Sequence, residues 1–72
     1  MLSPLTALES WRRARTLSQE QLAHLLGVTQ GTYSKYAAGR VPVPYDVRVR
    51  MAAILGVELT VLFPSTDEEA AQ

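Results

Sequence analysis

Apolar residues recur at helical spacing in two short runs of the sequence, on either side of Gly27. In the first run they share one face, which we predict to be made by Leu22, Ala23, Leu25 and Leu26. The opposite face carries Glu20 and His24, so we expect it to meet solvent. Ser18 is a favourable N-cap, and Gln21 three residues later completes a capping box. Gly27 ends this helix, because glycine adopts the left-handed conformation without a Cβ clash.

The second run, the predicted helix 29–38, has two faces of different chemistry. Thr29 is its predicted N-cap. At about 100° per residue, the inward face is made by Tyr33, Tyr36 and Ala37. The opposite face offers amide, hydroxyl and ammonium groups and is made by Gln30, Gly31, Ser34 and Lys35. Two short helices joined by a tight turn, the second with such a face, form a helix–turn–helix of the kind that enters the major groove of DNA.

Three further helices are predicted around this pair, over residues 5–15, 45–55 and 59–63. Prolines 42 and 44 make residues 40–44 a stiff loop, since proline bars a helix there. The predicted fold class is therefore all-α, with one domain over residues 1–64 and a disordered acidic tail over residues 65–72. We expect the core to contain Trp11, Leu22, Tyr36 and Leu55.

Composition excludes several classes of function. The 72 residues include no cysteine and one histidine, so neither a disulfide framework nor a metal site is expected. No nucleophile–base pair and no glycine-rich phosphate loop occurs, and we predict no enzyme activity, no catalytic residue and no cofactor. No apolar run approaches the ~20 residues of a membrane span. We expect a cytoplasmic, nucleoid-associated protein without room for a ligand-sensing domain.

The charge is balanced overall but unevenly distributed. Seven basic and seven acidic residues give a net charge of zero, yet all basic residues lie before position 51. Residues 1–63 hold seven basic and four acidic residues, a net charge of +3, and three more acids lie in the tail. A positive field is therefore local to the folded part. The cluster of Arg12, Arg13 and Arg15 fits either phosphate contacts or a solvated face.

Several spaced elements together resemble one known family. These are Leu17-Ser18-Gln19-Glu20-Gln21-Leu22-Ala23, Leu26-Gly27-Val28-Thr29-Gln30, Tyr36-x-x-Gly39, Ile54-Leu55-Gly56-Val57 and Leu62-Phe63. The chain is similar over roughly residues 5–63 to the phage repressor and Cro class of helix–turn–helix proteins, the XRE family. The resemblance implies a compact five-helix bundle of the lambda-repressor-like type, with the third helix in the major groove.

The resemblance also implies which residues touch DNA. Base-edge contacts are expected from Gln30, Gly31, Ser34 and Lys35. Phosphate contacts are expected from Gln19, Thr32, Arg40 and Arg12. Gly31 either lets the backbone approach DNA closely or reflects neutral drift, and it offers no side chain for reading a base.

Two departures from the family pattern concern packing. Relatives often carry Glu at the place of Ala37, where in several of them it pairs with an Arg at the position of Arg12. Arg12 is therefore expected to lack that partner and to be solvated, to bond helix-end carbonyls or to turn to DNA. Glu58 stands where Ser or a similar cap is common, so the last helix is expected to fray.

The leading hypothesis is a sequence-specific, double-stranded-DNA-binding transcription regulator, a repressor that occupies an operator. A two-fold homodimer would place two recognition helices about one helical turn apart on DNA. Its expected interface is the last two helices and the 40–44 loop, through Val41, Val43, Val47 and Val61. The alternative is an antitoxin or other protein-interaction module whose C-terminal tail binds a partner protein. That tail also fits a plain solvated terminus.

Overall fold

A computed structural model of the protein describes residues 4–64, and these residues form five α-helices and no strand. The helices are α1 (Pro4–Ala14), α2 (Gln19–Leu26), α3 (Gln30–Ala37), α4 (Tyr45–Leu55) and α5 (Leu59–Leu62). The predicted all-α fold class is confirmed. The tail predicted at 65–72 lies outside the described residues.

Side-chain caps fix the beginning of both helices in the central pair. The Gln21 backbone N–H donates to Ser18 Oγ at 3.0 Å, and the Ser18 N–H donates to Gln21 Oε1 at 2.7 Å. The predicted capping box is thus confirmed. At α3, the Thr32 N–H donates to Thr29 Oγ1 at 3.2 Å. Gly27 ends α2 with φ 77°, a left-handed conformation that glycine adopts without strain.

The core lies where α1, α2, α3 and α4 meet. Its largest fully buried side chains are Tyr33, Leu8, Leu22, Leu26 and Met51. Leu22 and Tyr36 are buried as predicted. Trp11 and Leu55 are only partly buried and pack against this cluster, so the prediction holds for them in part. The α4 helix joins the bundle by packing against α1, α2 and α5.

Two predicted orientations are wrong. Leu25 was expected on the apolar face of α2, but its side chain is 47 % exposed. At about 100° per residue, Ala23 and Leu26 lie to one side of Leu22 and Leu25 lies about 60° to the other, outside the buried arc. Val47 was expected at an outer interface, but it is 5 % exposed and belongs to the core. It shares one stripe of α4 with Met51, four residues later.

The last two helices begin without the side-chain caps of the central pair. Neither Pro44 before α4 nor Glu58 before α5 makes a side-chain cap hydrogen bond. Arg48 holds the preceding loop instead, since its Nε donates to the Val43 carbonyl at 2.8 Å. Its guanidinium carbon lies 5.1 Å from the centre of the Phe63 ring. Within residues 4–64, no helix has the length and apolar character needed to span a bilayer.

Candidate DNA interface

The α3 helix separates its buried and exposed side chains sharply. Tyr33 is 0 % exposed and Tyr36 is 8 % exposed, so both rings face the core as predicted. The four residues predicted to read bases are all exposed: Gln30, Gly31, Ser34 and Lys35. Because Thr29 caps the helix, its first turn begins at Gln30. A rigid helix therefore presents one continuous polar face outward.

This polar face divides between two depressions of the surface. One, of about 390 Å³, is lined by Gly31, Ser34, Lys35, Ala38 and Arg40. The structure thus brings Arg40, a predicted phosphate ligand, together with three of the predicted base-reading residues. Gln30 lies apart from them in a depression of about 690 Å³ along the outer side of α2. That second surface also includes the exposed Leu25.

Arg40 reaches this position because the chain turns sharply after α3. Gly39 has φ 71°, the left-handed conformation that ends many helices. The Arg40 N–H then donates to the Lys35 carbonyl at 2.9 Å, which closes the turn. Among the described residues, neither Lys35 nor Arg40 has an ion-pair partner. Both cations therefore remain available at one end of the polar face.

Nothing in the fold requires glycine at position 31. Its φ is not positive, and a Cβ built there would find only Thr29 Oγ1, at 4.0 Å. Thr32, the neighbouring candidate for phosphate, is half-buried and its Oγ1 accepts from the Thr29 hydroxyl at 3.0 Å. The Thr32 hydroxyl proton is left to donate to another acceptor.

Behind the polar face, one carboxylate joins three helices. Glu9 of α1 accepts from the Tyr33 hydroxyl at 2.7 Å. Arg12 donates to both of its oxygens, through Nε at 3.0 Å and Nη2 at 2.9 Å. The Gln19 side-chain amide, at the start of α2, adds a longer contact of 3.4 Å. Arg12 also donates to the Leu17 carbonyl at 2.7 Å, just before α2.

These contacts shift two ionisation equilibria. Hydrogen bonds from Arg12 lower the pKa of Glu9 from 4.5 to about 2; burial opposes the shift, and the Tyr33 and Gln19 hydrogen bonds add to it. Burial, followed by the hydrogen bond to Glu9, raises the pKa of Tyr33 well above its usual value. Near neutral pH the group is therefore a carboxylate that accepts from a neutral phenol and a guanidinium.

A family model described as Helix-turn-helix matches residues 8–62. The chain belongs to this helix–turn–helix family. It is a DNA-binding protein of the XRE type, and the resemblance found in the sequence is confirmed. The family is one of DNA-binding regulatory domains. No curated protein and no solved structure shows a significant similarity to the chain.

In this helix–turn–helix protein, Arg12 has a partner that sequence reasoning missed. It was expected to lack the acid that several relatives carry at the place of Ala37. Glu9 supplies the carboxylate instead, from one turn earlier on the same helix. Of the alternatives expected for Arg12, the structure shows a hydrogen bond to a carbonyl, that of Leu17, and it adds an ion pair with Glu9 that was not expected. Glu9 and Ala37 line one depression of about 300 Å³.

A sequence signal for the missed residue does exist. Leu5 and Leu8 are the inward residues of α1, and Glu9 and Arg12 each lie four residues beyond one of them. Residues four apart share a helix face, so this acid and this base face the bundle together. A Glu-x-x-Arg pair on an otherwise apolar face indicates a buried polar contact. Its partner Tyr33, from a different helix, could not be found in this way.

The predicted dimer residues differ in exposure. Val61 is 66 % exposed and Val41 is 38 % exposed, whereas Val43 packs against the core and Val47 lies within it. The structure shows large exposed apolar side chains at six described positions, and five of them follow residue 40: Val41, Tyr45, Val49, Val57 and Val61. The reading helix contributes none of them.

Proposed function

We propose that the protein is a transcription regulator that occupies an operator and represses by doing so. The observation that carries the proposal is the polar face of α3, fully exposed on a capped helix in a chain that belongs to a DNA-binding family. Such a helix fits the major groove, where base edges present distinct patterns of donors and acceptors.

Base reading is assigned to the side chains that can reach those edges. Lys35 donates to guanine O6 and N7, and Gln30 bonds adenine N6 and N7. Ser34 lies between them on the same face and can donate or accept. The separate surface positions of Gln30 and Lys35 suit contacts to different base pairs of one half-site.

Gly31 is assigned to close approach between the α3 backbone and DNA. The open space around its position supports this, because internal packing gives no reason for the missing side chain. Gly31→Ala should stabilise the folded protein by about 1 kcal/mol, since alanine favours a helix interior. Operator affinity should nevertheless fall, because the new methyl group meets DNA. If the variant is more stable and binds as well as the parent, glycine has no role in recognition.

Phosphate binding is assigned to Arg40, Gln19 and Thr32. The support for Arg40 is a guanidinium beside the reading face that has no ion-pair partner within residues 4–64. The support for Thr32 is a hydroxyl proton that makes no hydrogen bond within the same residues. Arg12 is not included among the phosphate ligands, because its guanidinium donates to Glu9 and to the Leu17 carbonyl. These contacts fix the register of the protein on DNA without reading sequence.

Selection of sites from random DNA at stated salt tests the whole proposal, followed by a matched pair of variants. Lys35→Ala and Arg40→Ala each remove one positive charge. Lys35→Ala should cost roughly 1–3 kcal/mol on the operator and relax one position per half-site. Arg40→Ala should weaken operator and random DNA alike and reduce the salt slope by about one. Equal losses for both variants on both DNAs would contradict the base-reading role of Lys35.

Homodimerisation through the last two helices and the 40–44 loop is part of the proposal. Its support is that five of the six large exposed apolar side chains of the described residues follow residue 40 and that none lies on α3. Val61→Glu should weaken self-association and operator binding together, as measured by sedimentation with and without operator. Thr60→Glu adds the same charge at the neighbouring exposed position and serves as control. Monomers that bind the operator as well as the parent would contradict the dimer.

A further inference from the structure

The α3 helix packs most closely along one neighbour, and its two buried tyrosines reach the core shared with α1 and α4. Its close helix packing is against α2, whereas α1 packs against α4. A helix held along one neighbour can tilt or roll on that neighbour unless a second, directional contact restrains it. The hydrogen bond from the Tyr33 hydroxyl to Glu9 is such a contact, because it joins the middle of α3 to α1 over 24 positions of sequence.

This hydrogen bond has no substitute inside the bundle. The Tyr33 side chain is 0 % exposed, so water does not replace a lost partner for its hydroxyl. Among the described residues, Glu9 is its only hydrogen-bond partner. A donor with an ionised acceptor also forms a shorter and stronger hydrogen bond than two neutral groups do. The link is therefore well suited to hold a helix at a fixed angle.

The same carboxylate reaches the first turn of α2 and a nearby cation. Glu9 accepts from the side chain of Gln19, which is assigned to phosphate binding. It also pairs with Arg12 and so neutralises a positive charge at the α1–α2 turn. An unpaired Arg12 there would attract phosphates of any sequence. Glu9 thus both restrains the reading helix and withholds a charge that carries no sequence information.

We propose that Glu9 is a positioning residue that sets how well the protein distinguishes its operator from other DNA. This inference rests on the proposed function. Glu9 acts on α3 through Tyr33 and on non-specific attraction through Arg12, and it touches no base itself. Base contacts need side chains held within about 0.5 Å of the productive geometry, so a small tilt at Tyr33 displaces Ser34 and Lys35 enough to matter.

The test compares dissociation constants for operator and for random DNA of the same length, at fixed salt. Tyr33→Phe removes only the hydroxyl and keeps the buried ring and the Glu9–Arg12 pair. Glu9→Gln removes the charge and the bidentate pairing with Arg12. Glu20→Gln is the control, since it removes one negative charge from an exposed residue that has no hydrogen bond or ion pair to the described part of the chain.

The specificity ratio, which is the dissociation constant for random DNA divided by that for operator, separates positioning from folding. A loss of folded protein lowers both affinities by the same factor and leaves their ratio unchanged. Tyr33→Phe should reduce the ratio about tenfold, as a lost hydrogen bond to a charged group implies, by weakening operator binding alone. Glu9→Gln should reduce it further, because random DNA is then bound more tightly with a salt slope larger by about one. Glu20→Gln should leave the ratio unchanged.

Each other outcome decides against one of the two proposals. If Tyr33→Phe is folded by circular dichroism and keeps the parent's ratio, Glu9 has only a structural role and the inference is wrong. Because this variant keeps the ring, it decides the matter even where Glu9→Gln does not fold. A parent protein that binds operator and random DNA alike contradicts the proposed function instead.

Discussion

The first three helices and the last two are stabilised by different kinds of contact. Both α2 and α3 begin at a residue whose side chain caps the helix, and a carboxylate on α1 bonds groups from both. Neither α4 nor α5 has a side-chain cap. Beside the contacts of Arg48 with Val43 and Phe63, these helices join the bundle mainly through apolar packing. Exposed apolar side chains are also concentrated in this second part.

The difference agrees with the roles proposed for the two parts. Hydrogen bonds are directional, and they fix the angle at which a helix presents its side chains. Apolar burial is roughly proportional to area and is tolerant of small rotations. Directional contacts are found around the helix assigned to base reading, and less directional contacts around the surface assigned to self-association. Four predictions test this contrast, from the largest expected effect to the smallest.

Removal of core volume should affect both parts alike. Leu22→Ala in α2 and Met51→Ala in α4 each truncate a side chain that is 0 % exposed. Each should lower the free energy of unfolding by about 2–5 kcal/mol, enough to unfold much of so small a domain. Leu25→Ala is the control and should change stability by about 0.5 kcal/mol or less. Urea denaturation followed by circular dichroism measures all three, and a large loss for Leu25→Ala would contradict its observed exposure.

Acid should weaken the first part through Glu9. The pKa of Glu9 in the folded protein is about 2, below its ordinary value of 4.5. The contribution of Glu9 to stability is therefore complete above pH 4.5. The contribution is lost as pH falls from 4.5 through about 2, since the folded carboxylate must then be protonated. The melting temperature of the parent should therefore fall more steeply over this pH range than the melting temperature of Glu9→Gln.

Asp46→Asn is the matched control for acid. It removes an exposed carboxylate from α4 that has no hydrogen bond or ion pair to another described residue. Its melting temperature should follow the parent's dependence on pH. If the melting temperatures of Glu9→Gln and Asp46→Asn depend equally weakly on pH, Glu9 is not the group responsible for the acid sensitivity.

Loss of a cap should separate the two parts directly. Ser18→Ala removes the acceptor of the Gln21 N–H and should cost about 1 kcal/mol, within a range of roughly 0.5–2. Glu58 is at the corresponding position of α5, where no cap hydrogen bond exists. Glu58→Ala should therefore lower the free energy of unfolding by only about a few tenths of a kcal/mol. Equal losses, measured by chemical denaturation, would remove the contrast between the two helix beginnings.

Addition of a cap should give the smallest effect, with the opposite sign. Glu58→Ser places a hydroxyl where it can accept from the first-turn N–H groups of α5. The free energy of unfolding should rise by about 0.5 kcal/mol. The effect should be mainly local, because α5 has only four residues. Glu58→Ala separates this gain from the loss of the carboxylate. Unchanged amide exchange in α5 of the serine variant would show that its beginning was not limited by capping.

Local signals predicted much of this fold from the sequence. Ser18, Gln21 and Gly27 act on residues within four positions of themselves, so their roles could be inferred without a tertiary structure. The outward residues of α3 followed from helical periodicity for the same reason. Leu25 was misplaced because a leucine at the edge of an apolar arc is buried only where a neighbouring helix covers it. Val47 was misplaced because the alternating residues around it concealed its helical spacing with Met51.

The carboxylate behind the reading face shows why the remainder was not predictable. Glu9 and Arg12 are three positions apart, but Tyr33 is separated from Glu9 by a turn, a helix and a second turn. Only the tertiary arrangement of the helices brings the two together, and no periodicity within one helix encodes it. The contacts of Lys35 and Gln30 with DNA stay predictions.

The source of the carboxylate that pairs with Arg12 has an evolutionary consequence. In several proteins that the sequence resembles, this acid comes from the place of Ala37 on the third helix. Here it comes from α1 itself, and position 37 is exposed and carries alanine. Selection for an acid at one of these positions is relaxed when the other supplies it. Acids at positions 9 and 37 should therefore replace one another among homologues that keep arginine at position 12, with intermediates that carry both.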